Sequence, residues 1–285
     1  MNGRDPLAPH RGKLLGLAYR MLGSRADAED VLQDAYLRFA SAQGVRNEEA
    51  FLVTTVTRLC LDRLKSARAT REVYVSPWLP EPIVDAEALS PQAEAELADN
   101  LSFAFLLALD RLSPGERATF LLHDVFDKPF REIAQVLGKN EAACRQLASR
   151  ARKAVRDTLP ASPAPADEHA ALLAAFMAAV SNGDLAQLTA LLRADAIAFG
   201  DGGGVKLAAL NVIQGADKVA RFLVGLARKF AGAHFSFEPR AINGAPGYLV
   251  YRDGELDQAL SIATNEGKIA AIYLVRNPQK LRHLH

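Results

Sequence analysis

The stretch from Ser76 to Asn100, SPWLPEPIVDAEALSPQAEAELADN, holds six acidic side chains and no lysine or arginine. Its prolines lack the amide hydrogen that a helix interior or a central strand requires, so no single regular element can run through it. A second break, TLPASPAPADE from Thr158 to Glu168, mixes alanine with proline and reads as a semi-stiff spacer. These breaks divide the 285 residues into 1–75, a connector at 76–100, 101–158, a spacer at 159–166, and 167–285. The length suits two domains or three small ones.

Charge follows the same division. Residues 1–75 carry a net +3, the connector −6, residues 101–160 another +3, and the remainder +1. Two mildly basic blocks separated by an acidic one do not make a uniform enzyme surface, and an overall +1 argues against wholesale nucleic-acid binding. No apolar run approaches the roughly 18 residues that span a bilayer. MNGRDPLAPHRGK lacks the apolar core of a secretory signal, so the reading expects a cytoplasmic protein with no membrane partner. Cys60 and Cys144 both fall at apolar helical positions and are expected as buried, reduced thiols.

The first block is helical. In GSRADAEDVLQDAYLRFA, Ala28, Val31, Leu32, Ala35 and Phe39 recur at helical spacing, and Ser24 with Asp27 fits an N-cap. Asp27, Asp30 and Asp34 form the opposite stripe. A second helix from about Glu48 carries Arg58, Arg63, Lys65, Arg68 and Arg71 against a lone Asp62.

The next block opens with SPGE, Ser113 to Glu116, a capping box with proline at the first helical position. KPFREIAQVLGKNEAACRQLASRARKAVR then reads as helix, turn at Gly138, and a second helix capped by Asn140. Ile133, Ala134 and Leu137 can meet Cys144, Leu147, Ala151 and Val155, the packing of a helix-turn-helix.

The last block starts with helices, HAALLAAFMAAVSNGDLAQLTALL and DKVARFLVGLARKFA. Strand-like segments make up the rest: AIAFGD, VKLAAL, HFSFEPRAI, YLVYRDG, ELDQALSIATNEG and KIAAIYLVRN. Helices followed by hairpin-linked strands make an α+β pattern. His283 and His285 are expected to fray.

The second helix of the helix-turn-helix places Arg145, Arg150, Arg152, Lys153 and Arg156 within twelve positions that contain no acid. Arg145, Gln146, Ser149 and Arg150 point outward near its start. Such a helix fits the major groove, where arginine reads guanine edges and glutamine reads adenine; a basic stripe alone equally suits a solvated face. The turn, register and cap together favour DNA. The Asp27, Asp30 and Asp34 stripe cannot approach phosphate; it suits a basic protein partner or simply solvent. The Arg58 to Arg71 face could track a backbone or hold separated strands, and a solvated face explains it as well.

DAEDVLQDAYLRF followed by the TRLCLDRLKSARATRE helix resembles domain 2 of bacterial extracytoplasmic-function sigma factors. SPGERATFLLHDVFDKPFREIAQVLGKNEAACRQLASRARKAV resembles their domain 4. The resemblance implies binding of core RNA polymerase, at the β′ clamp helices and the β subunit, and of promoter DNA. It assigns the polymerase contact to Asp27, Asp30, Gln33, Asp34 and Phe39. It assigns −10 recognition to the loop Gly44 to Glu49, with Arg46 and Asn47, and to Arg58, Asp62, Lys65 and Arg68. It assigns −35 recognition to Arg145, Gln146, Ser149, Arg150 and Lys153.

WLPEP, Trp78 to Pro82, contains the single tryptophan. A subgroup of these factors, the SigJ type, carries this motif between domains 2 and 4 and adds a C-terminal SnoaL-like cone domain. The subgroup's other motifs resemble DGGG at Asp201, Gly202, Gly203 and Gly204, with Lys206 close behind, and NPQKL at Asn277, Pro278, Gln279, Lys280 and Leu281. Gln279 departs from the acidic residue usual there. The expected fold is thus two all-α sigma domains followed by an α+β SnoaL-like domain that acts as a fused regulator.

Trp78 and Leu79 on a mobile linker would expose apolar area, and prolines 77, 80 and 82 lower the cost of ordering it. The reading therefore has Trp78, Leu79, Pro80, Glu81 and Pro82 dock on the C-terminal domain; packing of Trp78 on its own domain 2 helix is the alternative. Asp201, His234, Tyr248, Tyr251 and Asp253 are polar candidates for SnoaL-type chemistry, but no spacing among them fixes a catalytic role. DGGG reads as a turn between strands rather than a phosphate loop. The expectation is no catalytic site, no cofactor, no metal, no separate anti-sigma partner, and a monomer when free. A SnoaL-type enzyme with DNA-binding appendages and a polymerase-independent repressor are the competing readings.

Overall fold

A computed structural model of the chain describes residues 7–71, 74, 76–84, 101–159 and 164–284, with side chains from 66 to 71 left aside. The chain forms two compact units. The first comprises Met1–Val73, Glu87–Leu101 and Phe105–Leu159; the second comprises Tyr74–Ala86, Ser102–Ala104 and Pro160–His285. The two helical blocks read from sequence thus share one unit, and the WLPEP segment belongs with the C-terminal one.

The helical unit begins with α1 (Arg11–Leu22), α2 (Arg25–Ser41) and α3 (Glu48–Arg71), which pack on one another. Ser24 caps α2 by accepting the Asp27 amide, and Ala28, Val31, Leu32 and Ala35 are buried as the spacing predicts. α4 (Phe103–Asp110) leads to α5 (Pro114–Phe120), whose capping box between Ser113 and Glu116 is formed. α5 continues into one wide turn, Leu121–Val125, where the Phe126 amide reaches back five residues to the Leu121 carbonyl.

The helix-turn-helix is α6 (Phe130–Leu137) and α7 (Glu141–Arg156). Gly138 turns the chain at φ 63°, a left-handed conformation that glycine adopts without Cβ strain, and Asn140 caps α7 through the Ala143 amide. The inward face differs slightly from the sequence reading. Ile133, Ala134 and Val136 are buried against Cys144, Ala148, Ala151 and Val155, while Leu137 and Leu147 remain partly exposed. Both cysteines are free and buried.

Side chains join the two helical halves. Arg117 donates to the Met21 carbonyl at the end of α1, 2.7 Å, and to Asp110, 2.9 Å. Lys13 and Lys128 both meet Glu49, at 2.7 and 3.0 Å.

The C-terminal unit contains α8 (Ala166–Asn182), α9 (Leu185–Leu191), β1 (Leu192–Asp201), β2 (Ile213–Gln214), α10 (Ala216–Lys229), β3 (Phe235–Ile242), β4 (Ala245–Arg252), β5 (Glu255–Asn265), β6 (Lys268–Val275) and α11 (Pro278–Leu281). The six strands form one mixed sheet ordered β2-β1-β6-β5-β4-β3, in which β1 and β6 run parallel and every other pair is antiparallel. Asn243-Gly244, Asp253-Gly254 and Glu266-Gly267 link successive strands, each pair with both φ positive, the backbone of a tight twisted hairpin. Leu173, Phe176, Val219, Leu223, Leu260, Ile262 and Ile272 share a core between α8, α10 and the sheet.

Two expectations are corrected here. VKLAAL, Val205 to Leu210, is not a strand: the Val205 and Lys206 amides fold back to the Gly202 carbonyl, and Val205, Leu207 and Leu210 are exposed. His283 is not frayed. Asn277 caps α11, and the turn that follows brings the His283 ring to the Pro82 carbonyl at 2.8 Å. His285 lies outside the described residues, as does the connector from residue 85 to residue 100.

Candidate functional site

On α7, Arg145, Gln146, Ser149, Arg150 and Lys153 are all exposed, and their spacing puts them on one face. Arg145 pairs with Glu141 at 2.8 Å and lies over the Phe130 ring, 5.4 Å from its centroid. Arg150 pairs with Glu116 at 2.7 Å. These exposed pairs are weak and screened by salt, so both guanidinium groups can exchange them for a stronger anion. Arg152 is held by Asp124 at 2.7 Å, to one side of that face.

The acidic stripe on α2 is less open than its sequence implies. Arg63 of α3 lies 3.6 Å from Asp27, 3.6 Å from Asp30 and 3.3 Å from Asp34. Gln33 is exposed, whereas Phe39 is half-buried, its ring edge-on to Phe51 at 5.8 Å. Tyr36 and Leu37, which the sequence reading passed over, are exposed beside them; their signal was an apolar pair off the buried stripe.

Residues assigned to the −10 surface are spread over several jobs. Arg46 is exposed at the start of the turn, and Asn47 caps α3 by accepting the Ala50 amide at 3.0 Å. Arg58 donates to the carbonyls of Gln135 and Val136, at 3.0 and 3.1 Å, at the end of α6. Asp62 and Lys65 form an exposed pair at 3.0 Å. The side chain of Arg68 lies outside the described residues. The paired lysines, mainly through their hydrogen bonds, hold Glu49 down at a pKa of about 2.

In the C-terminal unit, the three motifs singled out from sequence converge on one carboxylate. Asp201 is fully buried. One oxygen accepts the Tyr74 hydroxyl at 2.7 Å and the Gly203 amide at 3.0 Å; the other accepts the Leu79 amide at 3.0 Å and the Lys280 ammonium at 2.6 Å. Four donors fill the acceptor capacity of a carboxylate.

Lys280 also donates to the Leu79 carbonyl, and its ammonium lies 4.5 Å from the centre of the Trp78 ring and 5.2 Å from that of Tyr74. Asn277 donates to the Tyr74 oxygen at 2.8 Å. Burial and the bond to Asp201 push the Tyr74 phenol above its ordinary range.

The glycines of DGGG are required by space. A Cβ on Gly202 would lie 2.1 Å from the Lys206 carbonyl oxygen, and one on Gly203 would lie 2.4 Å from the Asn277 side chain. Gly203 and Gly204 also have positive φ. Leu281, beyond Lys280, is buried, and Pro278 starts its helix.

The linker continues along the turn between β3 and β4. Ile83 and Asn243 exchange hydrogen bonds, Val84 bridges Ile242, and Leu79 and Ile83 are buried. Glu81 lies 3.0 Å from the His283 ring, and Pro80 and Pro82 are buried. Trp78 itself is only partly buried, whereas Leu79 and Ile83 are fully buried and contribute about 1.5–3 kcal/mol each as an upper figure. Tyr74, Asn243 and His283 were missed as linker contacts from sequence, because no local pattern pairs them with residues more than a hundred positions away.

The polar candidates for catalysis are dispersed. Asp201 holds the linker, Asp253 accepts the His234 amide at 3.0 Å, and Tyr251 donates to Glu238 at 2.9 Å. Tyr248 is edge-on to Phe237. Lys206 leaves the DGGG turn to meet Asp257 at 3.1 Å. Among the described residues no group of His, Cys, Asp and Glu is arranged to hold a metal ion, and no helix is long and apolar enough to cross a membrane.

Residues 7–70 match the family described as Sigma-70 region 2, and residues 102–155 match Sigma-70, region 4. Over 95% of its length the chain is 40% identical to the ECF RNA polymerase sigma factor SigJ of Mycobacterium tuberculosis, covering 90% of that protein. The chain belongs to the extracytoplasmic-function RNA polymerase sigma factor family.

This sigma factor is also 31% identical to a probable ECF sigma factor, SigI, of the same organism, over 99% of this chain and 97% of that one. Its fold matches the crystal structure of Mycobacterium tuberculosis SigJ with a TM-score of 0.77, at 37% identity and 95% coverage of both chains. The sigma factor thus joins region 2 and region 4 helices to an α+β domain with a mixed six-stranded sheet.

Proposed function

We propose that the chain binds core RNA polymerase and directs it to promoters, with its C-terminal domain serving as a built-in regulator of the linker between regions 2 and 4. The family supports the first part. The arrangement around Asp201 carries the second: a buried carboxylate accepts a linker amide, while Lys280 accompanies it on the linker carbonyl.

In this reading α7 meets the −35 element through Arg145, Gln146, Ser149, Arg150 and Lys153. Their common exposed face supports that role, and the counter-ions of Arg145 and Arg150 are exchangeable. The polymerase contact is assigned to Asp27, Asp30, Gln33, Asp34 and Phe39, widened to the exposed Tyr36 and Leu37. Arg63 already partly neutralises the aspartates, so the apolar pair contributes area that charge alone would not. The −10 surface is assigned to Arg46, Asn47, Arg58, Asp62, Lys65 and Arg68. Arg58 must then release the α6 carbonyls before it can touch DNA, which makes the packed helical unit a resting form.

The C-terminal domain acts without catalysis here, and the protein works in the cytoplasm as a free monomer that needs no separate anti-sigma protein. Run-off transcription with purified core enzyme tests the reading. Wild type and Asp201→Asn should both associate with core enzyme, and their promoter activity should differ at least severalfold. Absence of any association with core enzyme overturns the first part; identical activity overturns the second.

A further inference from the structure

The C-terminal unit contains a cavity that the linker contacts leave unused. It lies between α8, α10 and the sheet, with a volume of about 310 Å³. That falls at the compact end of the roughly 300–1,000 Å³ typical of small-molecule sites. Most of its wall is apolar, with Phe176, Leu223, Phe230, Phe235 and Leu260 among its side chains. Asp257 and Arg276 form its polar end.

The charges at that end do not balance. Asp257 lies 2.9 Å from Arg276, 3.1 Å from Lys206 and 3.3 Å from Arg252, so three cations share one carboxylate. Lys206 and Arg252 keep some solvent contact, but the Arg276 and Asp257 side chains are only 5% and 6% exposed. Arg276 spends its terminal nitrogens on Asp257 and the Leu207 carbonyl, while its buried Nε has no hydrogen-bond partner among the described residues. The guanidinium groups of Arg252 and Arg276 also lie 5.2 and 5.8 Å from the centre of the Phe230 ring, on the cavity wall. A buried donor without an acceptor, beside surplus positive charge and an apolar chamber, calls for an anionic head on an apolar body.

We propose that this cavity binds a small aromatic or aliphatic carboxylate, its head at Arg276 and its ring or chain among the phenylalanines. The Arg276 amide donates to the Asp201 carbonyl at 2.7 Å, and Asn277 follows it directly. Occupancy therefore acts next to the residues that hold the linker; that consequence rests on the regulatory reading above, whereas binding itself does not.

Calorimetric titration of the full chain, without polymerase, tests binding. The probes are phenylacetate and octanoate, each against its neutral amide, phenylacetamide and octanamide. At least one acid should bind tenfold or more tightly than its amide, and the arm that binds tells a ring-bearing ligand from a chain. Absence of binding by both acids at millimolar concentration overturns the proposal, as does equal binding of acid and amide. Ala227→Phe, which projects a ring from the cavity wall, should abolish binding, with Met177→Trp as a second filling variant should the first not fold. Undiminished binding by a folded, filled variant also overturns it. Promoter activity that fails to respond to a bound acid would count against the regulatory reading and leave the site standing.

Discussion

The Leu79 amide donates to Asp201 at 3.0 Å across 122 positions of sequence. A backbone group of the inter-region linker is thereby satisfied by a side chain of the C-terminal domain, and the linker's order depends on that domain's integrity.

Asp201→Asn keeps the size of the side chain but gives one acceptor atom in place of two and removes the negative charge that pairs with Lys280. Breaking one side of a buried pair costs about 3–5 kcal/mol, and part of this is recovered if the linker leaves. The expected result is a red-shifted emission of Trp78, the single tryptophan, and faster proteolysis near residues 74–84, with the far-ultraviolet spectrum unchanged. Unaltered emission and cleavage would show that the linker is held by other contacts.

Gly202→Ala and Gly138→Ala separate steric from conformational cost. A Cβ at 202 would lie 2.1 Å from a backbone carbonyl oxygen, whereas at 138 it meets nothing within 4 Å and pays only for φ 63°. Gly138→Ala should cost about 1 kcal/mol. Gly202→Ala should cost clearly more, about 2–4 kcal/mol, since backbone must move. Urea unfolding of the two variants measures the difference, and equal midpoints would contradict it.

Glu49 provides a pH-dependent contact between the two helical halves. Its carboxyl is lowered from 4.5 to about 2, chiefly by hydrogen bonds from Lys13 and Lys128. A depressed carboxyl stabilises the fold above its unfolded value and loses that contribution as pH falls through its folded one. Wild type should therefore be more stable than Glu49→Gln at pH 7, and the gap should close between about pH 4.5 and pH 2. The group is about one-third exposed, so the gap is modest. Denaturant melts of both proteins across that range provide the check.

Arg145→Ala and Arg150→Ala should each weaken promoter binding by the assembled polymerase by about 1–3 kcal/mol if they read bases. Arg145→Lys should recover little, because a lysine cannot make a two-pronged contact with guanine. Association with core enzyme should stay unchanged. Footprinting at fixed salt distinguishes this from a uniform loss over all sequences, which would mark phosphate contacts instead.

The helical half was legible because its signals are local. Ser24, Ser113 and Asn140 cap the helices that follow them, and Gly138 turns the chain where the pattern breaks. DGGG, WLPEP and NPQKL were recognisable as a set, and their meeting at Asp201 follows the expectation that the linker docks on the last domain. What stayed hidden depends on distant partners. Val205 to Leu210 alternates like a strand, yet the Gly202 turn and the pull of Asp257 on Lys206 hold it out of the sheet. Arg63 looked like part of a basic face, but its nearest anions are the three aspartates of the preceding helix. Asp257 and Arg276 gave no motif at all; only the sheet brings them together.

Lys280 stands 201 residues after the Leu79 carbonyl that it grips. At about 5–20 residues per second, the ribosome delivers it roughly 10–40 s after the linker has been made. A nascent chain therefore carries both promoter-facing helical regions well before the clasp that tethers the segment between them. Newly made molecules pass through an untethered interval that finished ones do not, and its length is set by translation speed rather than by affinity.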